Sequence, residues 1–180
     1  MTRANSPVYR VAFRRRREGR TDYRKRLALV KSGKPRMVVR RSNRYILVQF
    51  IKFDPAGDRT LVTVDGPKLA KLFKWPSKRN AWSAYLSGLY AGKEAAKAGV
   101  KEFVLDNGQY TASKGNIVFA ALKGAVDAGL STNYKEDKVP LEKLKNPPEA
   151  MKAAFEDAKR RIMGPPVPME PGAPHPKGAR

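Results

Sequence analysis

Arginines near the N-terminus are the residues whose type and spacing first suggest a chemistry. The stretch Phe13–Arg26 reads FRRRREGRTDYRKR, in which eight of fourteen residues are Arg or Lys. A guanidinium group binds a phosphate with paired hydrogen bonds and stacks on flat rings. Tyr9, Phe13 and Tyr23 lie among these cations, and aromatic rings stack on unpaired bases. The pattern favours an RNA-binding segment over its alternatives, a solvated run of charge or a localisation signal.

The charge of the whole chain supports this interpretation. The 180 residues carry 38 basic and 16 acidic side chains, a formal net charge of +22, and residues 1–44 hold 16 basic and 2 acidic side chains. Such self-repulsion opposes a compact state unless an anion neutralises it, and nucleic acid is the commonest polyanion that does so. An anionic membrane is the rival partner, but no run of 18 apolar residues and no signal peptide is seen, so we expect no membrane partner.

Residue types suited to catalysis are sparse. The chain has no cysteine, and its one histidine, His175, lies in a Pro/Gly-rich tail, so we expect neither a zinc site nor a serine–histidine pair. Aspartates could build a two-metal nuclease site, but their positions in turns and at element ends do not force them together. They are Asp54, Asp58, Asp65, Asp106 and Asp127. We expect no catalytic residue, metal or cofactor, and keep a metal-dependent RNA nuclease as an alternative.

Two further segments carry candidate RNA-binding side chains. The sequence RRSNR, Arg40–Arg44, would project three guanidiniums, a hydroxyl and an amide from a turn between strands. A-form RNA is contacted mainly at phosphates and 2′-hydroxyls, although a plain solvent-exposed turn is the alternative. The loop Gly108–Gly115, GQYTASKG, lacks the order of a nucleotide-hydrolysing loop. Its lysine, next to a helix N-terminus, could still hold a backbone phosphate, and a plain connecting loop is equally compatible with the sequence.

The elements that must position these residues form an α/β pattern. β-branched and aromatic runs predict strands at Arg36–Arg41, Tyr45–Phe53, Thr60–Val64 and Lys101–Asp106. Short turn-rich gaps favour antiparallel pairing of the first three, with the second strand in the centre. Helices are predicted from Thr21 or Asp22, from Pro67, after the cap Asn80, and over 117–128. The order β-β-β-α-β-α requires a crossover, so we expect a mixed sheet with packed helices.

The composition divides the chain into three parts. Residues 1–20 lack a sustained period and should form a basic arm, extended or disordered when alone. Residues 21–134 form the α/β domain, in which Gly88 predicts close approach of another element because a helical glycine costs about 1 kcal/mol relative to Ala. Residues 135–180 form an extension with one amphipathic helix, Glu149–Ile162, and a flexible Pro-rich tail, 164–180. The predicted apolar stripe of that helix is Met151, Ala154, Phe155, Ala158 and Ile162.

Several separate motifs resemble one known family. They are the run Arg14–Phe50, GDRTLV at Gly57–Val62, AWSAYLSGLYAGK at Ala81–Lys93, and VLDNGQYTASKGNIVFAALKGAVDAGL at Val104–Leu130. In this order they resemble the archaeal form of large-subunit ribosomal protein eighteen, the 5S rRNA-binding protein, over about residues 9–134. The resemblance implies the α/β fold of translational-machinery components, no enzymatic activity, and a cytoplasmic location in the large ribosomal subunit.

The partners that the resemblance implies are 5S rRNA, 23S rRNA in the central protuberance, and neighbouring large-subunit proteins, including the other 5S rRNA-binding protein. No small-molecule substrate is expected. Together with the patterns above, the resemblance predicts RNA contacts by Arg14, Arg15, Arg16, Arg17, Arg20, Tyr23, Arg24, Lys25, Arg26, Lys34, Arg40, Arg41, Ser42, Asn43, Arg44, Tyr110 and Lys114. Their role would be charge neutralisation and shape recognition, and a non-specific RNA chaperone remains the other alternative.

Overall fold

In a computed structural model, which describes residues 6–76 and 79–164, four strands form one sheet in the order β3-β2-β1-β4. They are β1, Arg36–Arg41; β2, Ile46–Lys52; β3, Arg59–Val64; and β4, Val104–Asp106. β1 and β3 each pair antiparallel with β2, and β4 pairs parallel with β1. The predicted mixed sheet and the interior position of its second strand are confirmed. β4 is shorter than predicted because Glu102 and Phe103 pair with Ser131 instead.

Seven α-helices surround the sheet in the described part of the chain. They are α1, Arg14–Arg17; α2, Tyr23–Lys31; α3, Gly66–Phe73; α4, Ala81–Lys97; α5, Ile117–Asp127; α6, Leu141–Lys145; and α7, Glu149–Met163. Four of them, α2 to α5, begin after polar residues whose side chains accept hydrogen bonds from first-turn N–H groups, namely Asp22, Asp65, Asn80 and Asn116. None of the described helices has both the length and the apolar character needed to cross a membrane.

The hydrophobic core lies between one face of the sheet and the pair α4–α5. Met37, Val48 and Phe50 are fully buried on that face, since alternate residues of a strand point to the same side. α4 and α5 touch along their backbones: a Cβ on Gly88 would overlap the backbone of Ala121. The close approach predicted from the helical glycines is therefore confirmed, and it explains why glycine is tolerated inside α4.

The N-terminal arm is more ordered than its sequence predicts. Its four consecutive arginines form the single turn α1, which Glu18 flanks with an ion pair to Arg20 at 3.0 Å. Arg15 Nε also donates a hydrogen bond to Thr21 Oγ1 at 3.0 Å. These are local contacts between neighbouring polar residues, which a search for hydrophobic periodicity does not detect.

The C-terminal extension folds back on the helical layer. The Phe155 ring lies 6.1 Å from the Trp75 ring and 5.8 Å from the Tyr85 ring, centroid to centroid. Phe155, Ala158 and Ile162 are buried, so the predicted amphipathic helix is confirmed, whereas Ala154 is exposed and does not belong to its apolar stripe. The short helix α6 was not predicted. The rest of the Pro-rich tail, with His175, lies outside the described residues.

Candidate nucleic-acid interface

Three arginines and two aspartates form a chain of ion pairs on the sheet face opposite α4 and α5. We call Arg26, Asp58, Arg36, Asp106 and Arg40 the arginine–aspartate network. Asp58 Oδ2 lies 2.8 Å from Arg26 Nη2 and 2.5 Å from Arg36 Nη2. The Asp106 carboxylate lies 3.1 Å from Arg36 Nη1 and 3.2 Å from Arg40 Nη2. The network therefore ties α2 and the β2–β3 turn to the two strands β1 and β4.

Strand geometry produces this network. Arg36 and Arg40 are four residues apart on β1 and therefore face the same side of the sheet, and Asp106 is paired in register with Val38 between them. Arg36 is only 4% exposed. A guanidinium removed from water is unfavourable unless it is paired with carboxylates, and Asp58 and Asp106 supply that pairing from two different elements.

The three segments predicted to bind RNA meet beside this network. Lys25 Nζ on α2 donates a hydrogen bond to the carbonyl of Gly108 at 3.1 Å. Arg40 Nη1 donates to the carbonyl of Asp106 at 2.9 Å, and a Cβ on Gly108 would lie 3.0 Å from Arg40 Cζ. The Tyr110 hydroxyl donates to the carbonyl of Arg41 at 3.0 Å, and the Arg41 guanidinium lies 4.7 Å from the centre of the Tyr110 ring.

Ser42 fixes the turn between β1 and β2. Its Oγ accepts hydrogen bonds from the backbone N–H groups of Tyr45 at 2.9 Å and Arg44 at 3.2 Å. Its own N–H donates to the Tyr45 carbonyl at 2.9 Å. Arg41, Asn43 and Arg44 are exposed on the resulting turn. Of the predicted polar groups here, the serine hydroxyl shapes the turn, while Arg41, Arg44 and the amide are exposed. The third predicted guanidinium, that of Arg40, does not project from the turn, because it is bound to Asp106 in the network.

Two predicted residues lie away from this surface. Lys34 precedes β1, whereas Arg41 is the last residue of that strand. At ~3.3 Å per residue, the two residues are about 20 Å apart. The Lys34 Nζ is 2.5 Å from Glu102 Oε2, and the hydrogen bond from Lys34 lowers the pKa of Glu102. Lys114 Nζ lies 3.5 Å from Asp137 Oδ2, toward the C-terminal extension. An RNA contact by either lysine stays a prediction.

Six of the predicted arginines have no ion-pair partner in the described chain. No carboxylate oxygen from residues 6–76 or 79–164 lies within 4.0 Å of their side-chain nitrogens, in contrast to the arginines of the network. They are Arg15, Arg16, Arg17, Arg24, Arg41 and Arg44. A cleft of about 200 Å³ separates α1 and α2 from the sheet, and Arg15, Arg20 and Lys25 line it beside the network. The surface thus presents charge that the protein itself does not neutralise.

The five aspartates considered for a nuclease site all have structural partners. Asp106 and Asp58 belong to the network, Asp54 Oδ1 accepts from Ala56 N–H at 3.0 Å, and Asp65 caps α3. Asp127 accepts from the Tyr85 hydroxyl at 2.9 Å, and burial, followed by this hydrogen bond, raises the pKa of Tyr85. Among the described residues no group of three or more His, Cys, Asp or Glu side chains could hold a metal ion.

Sequence reasoning missed three members of the network. It places Arg36 in a strand, Asp58 in a turn and Asp106 at the end of a strand, without a role for any of them. A usable signal was present, because two arginines at even spacing inside an otherwise apolar strand must share a face. The position of Asp58 carried no such signal, since the turn that delivers it to Arg36 is set by tertiary packing.

Comparison with known proteins defines the family. Residues 8–102 match the model described as ribosomal large subunit proteins 60S L5 and 50S L18. Over 140 residues the chain is 50% identical to the large ribosomal subunit protein uL18 of Korarchaeum cryptofilum, covering 77% of this chain and 71% of that protein. This chain belongs to the uL18 family.

Two other uL18 proteins show the same level of similarity. That of Methanoregula boonei is 50% identical over 139 residues, which cover 77% of this chain and 80% of the relative. That of Aeropyrum pernix is 50% identical over 135 residues, which cover 74% of this chain and 63% of the relative. The predicted archaeal family is confirmed. As a uL18 protein the chain is a structural, rRNA-associated component of the large ribosomal subunit in the cytoplasm and not an enzyme, so the nuclease alternative is wrong.

Proposed function

We propose that this chain binds 5S rRNA and helps to anchor it to 23S rRNA in the central protuberance of the large subunit. The interface consists of the N-terminal arm with α2, the β1–β2 turn and the β4–α5 loop. The observation that supports this most strongly is the convergence of these three segments, which Lys25, Arg40 and Tyr110 join through hydrogen bonds to backbone carbonyls.

The charge distribution supports recognition of a structured RNA. Arg36 is buried and held by two carboxylates, so the base of the surface is fixed before any RNA binds. The arginines without an ion pair are spread over the arm, α2 and the turn: Arg15, Arg16, Arg17, Arg24, Arg41 and Arg44. Cations at fixed separations select an RNA whose phosphates have the matching spacing, because A-form helices are read mainly by shape and backbone.

We also propose a division of labour along the chain. Residues 1–20 act as the arm, residues 21–134 as the 5S rRNA-binding domain, and residues 135–180 as an extension available to neighbouring large-subunit proteins, including the other 5S rRNA-binding protein. The packing of Phe155 against Trp75 and Tyr85 supports a fixed position for the extension's helix α7.

Selective binding tests the proposal directly. The affinity for 5S rRNA is compared with that for a scrambled RNA of equal length at physiological salt. We expect clear preference for 5S rRNA. Affinity should fall by roughly 10³–10⁵ between 50 and 200 mM salt if six to ten phosphates are contacted. Equal affinity for both RNAs would instead favour a non-specific chaperone, and a flat salt response would contradict phosphate binding altogether.

A matched pair of variants locates the interface. Arg24→Ala and Arg160→Ala each remove one exposed positive charge, one on α2 and the other on α7. Loss of a phosphate contact weakens binding and reduces the slope of log affinity against log salt by about 1. We expect that change for Arg24→Ala and almost none for Arg160→Ala. Equal effects would show that net charge, rather than the proposed surface, governs binding.

A further inference from the structure

A second cleft lies on α2, on the side turned away from the sheet. Asp22, Lys25 and Leu29 line the cleft beside the network, and their spacing of three and four residues places them on one helix face. The second cleft, of about 330 Å³, is lined by Arg16, Thr21, Asp22, Tyr23, Arg24 and Leu27. Tyr23, Arg24 and Leu27 belong to the other face of α2, which is exposed beside Arg16 of α1.

Apolar surface is exposed in this second cleft. The Tyr23 side chain is 39% exposed and Leu27, one helical turn later, is 55% exposed. The outer face of a surface helix is normally polar. Single exposed apolar residues are common and do not by themselves indicate a ligand. The ligand class must therefore be inferred from these residues together with the charges around them.

The second cleft keeps a net positive charge. Neither Arg16 nor Arg24 has a carboxylate within 4.0 Å in the described chain. Asp22 also lines the cleft, but its Oδ1 accepts the backbone N–H groups of Arg24 at 3.0 Å and Lys25 at 3.1 Å, so its carboxylate caps α2 and forms no ion pair with either guanidinium. The cleft therefore offers two guanidiniums without an ion-pair partner around a ring and an aliphatic side chain.

This combination selects among ligand classes. An apolar protein segment would cover Tyr23 and Leu27 but leave both guanidiniums without an anion. A phosphate in a base-paired stem would neutralise the guanidiniums but leave the apolar side chains in water. A nucleotide whose base is unpaired satisfies both, because its flat base stacks on an aromatic ring and its flanking phosphates accept from arginine.

We propose that the second cleft holds one unpaired RNA base. The base stacks on the Tyr23 ring, Leu27 contacts its edge, and Arg16 and Arg24 bind the phosphates on either side. This inference rests on the proposed function and adds to it: the RNA recognised must contain an unpaired nucleotide, from a loop or a bulge, beside the stem whose phosphates the other cations contact.

Substitutions of Tyr23 test the stacking. A base stacked on an aromatic ring contributes about 1–3 kcal/mol, so Tyr23→Ala should weaken 5S rRNA binding about 5- to 150-fold. The slope of log affinity against log salt should not change, since no phosphate contact is lost. Tyr23→Phe keeps the ring and should bind within about twofold of the wild type. The matched control is Phe53→Ala, which removes an aromatic side chain that is 46% exposed and outside both clefts.

Ultraviolet cross-linking identifies the contact itself. Trypsin cleaves after Arg20 and Arg24, so Tyr23 lies in the four-residue peptide Thr21–Arg24. We expect a nucleotide adduct on that peptide after irradiation of the complex with 5S rRNA, and loss of the adduct in Tyr23→Ala. Thermal unfolding of each variant establishes that it is folded, as expected for substitution of an exposed side chain.

The outcomes separate this inference from the proposed function. If the wild type selects 5S rRNA and Tyr23→Ala binds it with unchanged affinity and no adduct forms, the base site is wrong and the proposed function stands. If the wild type binds scrambled RNA equally well but the adduct on residues 21–24 still forms and depends on Tyr23, the base site stands and 5S selectivity fails. A reduced salt slope in Tyr23→Ala would show that the cleft binds phosphate rather than a base.

Discussion

Alternate residues of β1 form two faces of opposite chemical character, one apolar and one charged. Met37 and Val39 are fully buried on the face that packs against the helical layer, whereas Arg36 and Arg40 face the arm and α2. The first face excludes water and is held by apolar contact and by the close crossing of α4 and α5. The second face keeps polar groups together through ion pairs and hydrogen bonds that span four elements.

This difference shows how a small domain combines stability with a charged surface. Burial of apolar side chains supplies most of the folding free energy, so most of the stability of the fold comes from the core face. The charged face then needs only enough internal pairing to hold its cations in place. A change in one face should therefore have a different signature from a change in the other, in either unfolding or RNA affinity.

The largest expected effect is on the core face. Gly88→Ala places a methyl group against the Ala121 backbone, where no flexible side chain can move aside. We expect the free energy of unfolding to fall by about 3 kcal/mol, at the upper end for overpacking, while the folded fraction keeps its preference for 5S rRNA. Chemical denaturation measures the first quantity and binding titration the second.

The control for this prediction is Ala96→Ser, at an exposed position of the same helix. Exposed substitutions usually change stability by less than about 0.5 kcal/mol. A stable Gly88→Ala protein would mean that α4 and α5 separate without cost, and the contrast between the two faces would lose its basis.

An intermediate effect is expected at the buried base of the charged face. Asp106→Asn removes one of the two carboxylates that hold Arg36, whose side chain is only 5% exposed. Loss of a whole buried ion pair partner costs about 3–5 kcal/mol. Because Asp58 stays bound to Arg36, we expect about 2 kcal/mol of destabilisation, measured by chemical denaturation, together with weaker selective binding as Arg40 loses its anchor.

Asp137→Asn provides the matched control for that substitution. Its carboxylate makes an exposed ion pair with Lys114 at 3.5 Å, and such surface pairs contribute about 0–1 kcal/mol. If Asp106→Asn and Asp137→Asn had equally small effects on stability and on 5S binding, the network would not organise the charged face.

The smallest expected effect compares two arginines within the charged face. Arg41 is fixed by its contact with the Tyr110 ring at the end of β1, whereas Arg15 belongs to an arm of neighbouring, partly redundant arginines. We expect Arg41→Ala to weaken 5S binding about tenfold, the equivalent of ~1.4 kcal/mol, and Arg15→Ala to weaken it less. Side-by-side titrations giving equal losses would mean that the rigid turn has no advantage over the arm.

Much of the fold could be predicted from local sequence patterns. Runs such as RMVVRR and the caps Asp22 and Asn80 act over a few residues, so the strands and the helix starts were identified. The helices between β3 and β4 predict a crossover connection, which leads to a parallel strand pair. The structure contains this pair, since β4 lies parallel to β1. The order within the arm and the helix α6 were missed, because they depend on local ion pairs and on prolines rather than on a hydrophobic period.

The candidate site was predictable only in part. The arm, the turn and the loop were each singled out by their charges, but their meeting point depends on contacts over long sequence separations, such as Lys25 with Gly108. The role of Asp58 could not be predicted for the same reason, because the β2–β3 turn that contains Asp58 and its partner Arg36 are brought together only by the tertiary fold. Composition gives the total charge of a chain, and the tertiary structure determines which charged side chains already form ion pairs.

The pairing within the network has a consequence for measurements on the free protein. Guanidiniums already neutralised by Asp58 and Asp106 compete less well for RNA phosphates, so they displace few of the cations condensed on the RNA. If the proposed interface is right, the salt slope should therefore report the arm and the exposed turn, and not every arginine near the RNA. It also follows that, in a chain with a formal charge of +22, the most deeply buried arginine of the described residues is neutralised by the chain's own carboxylates and needs no RNA phosphate for that purpose.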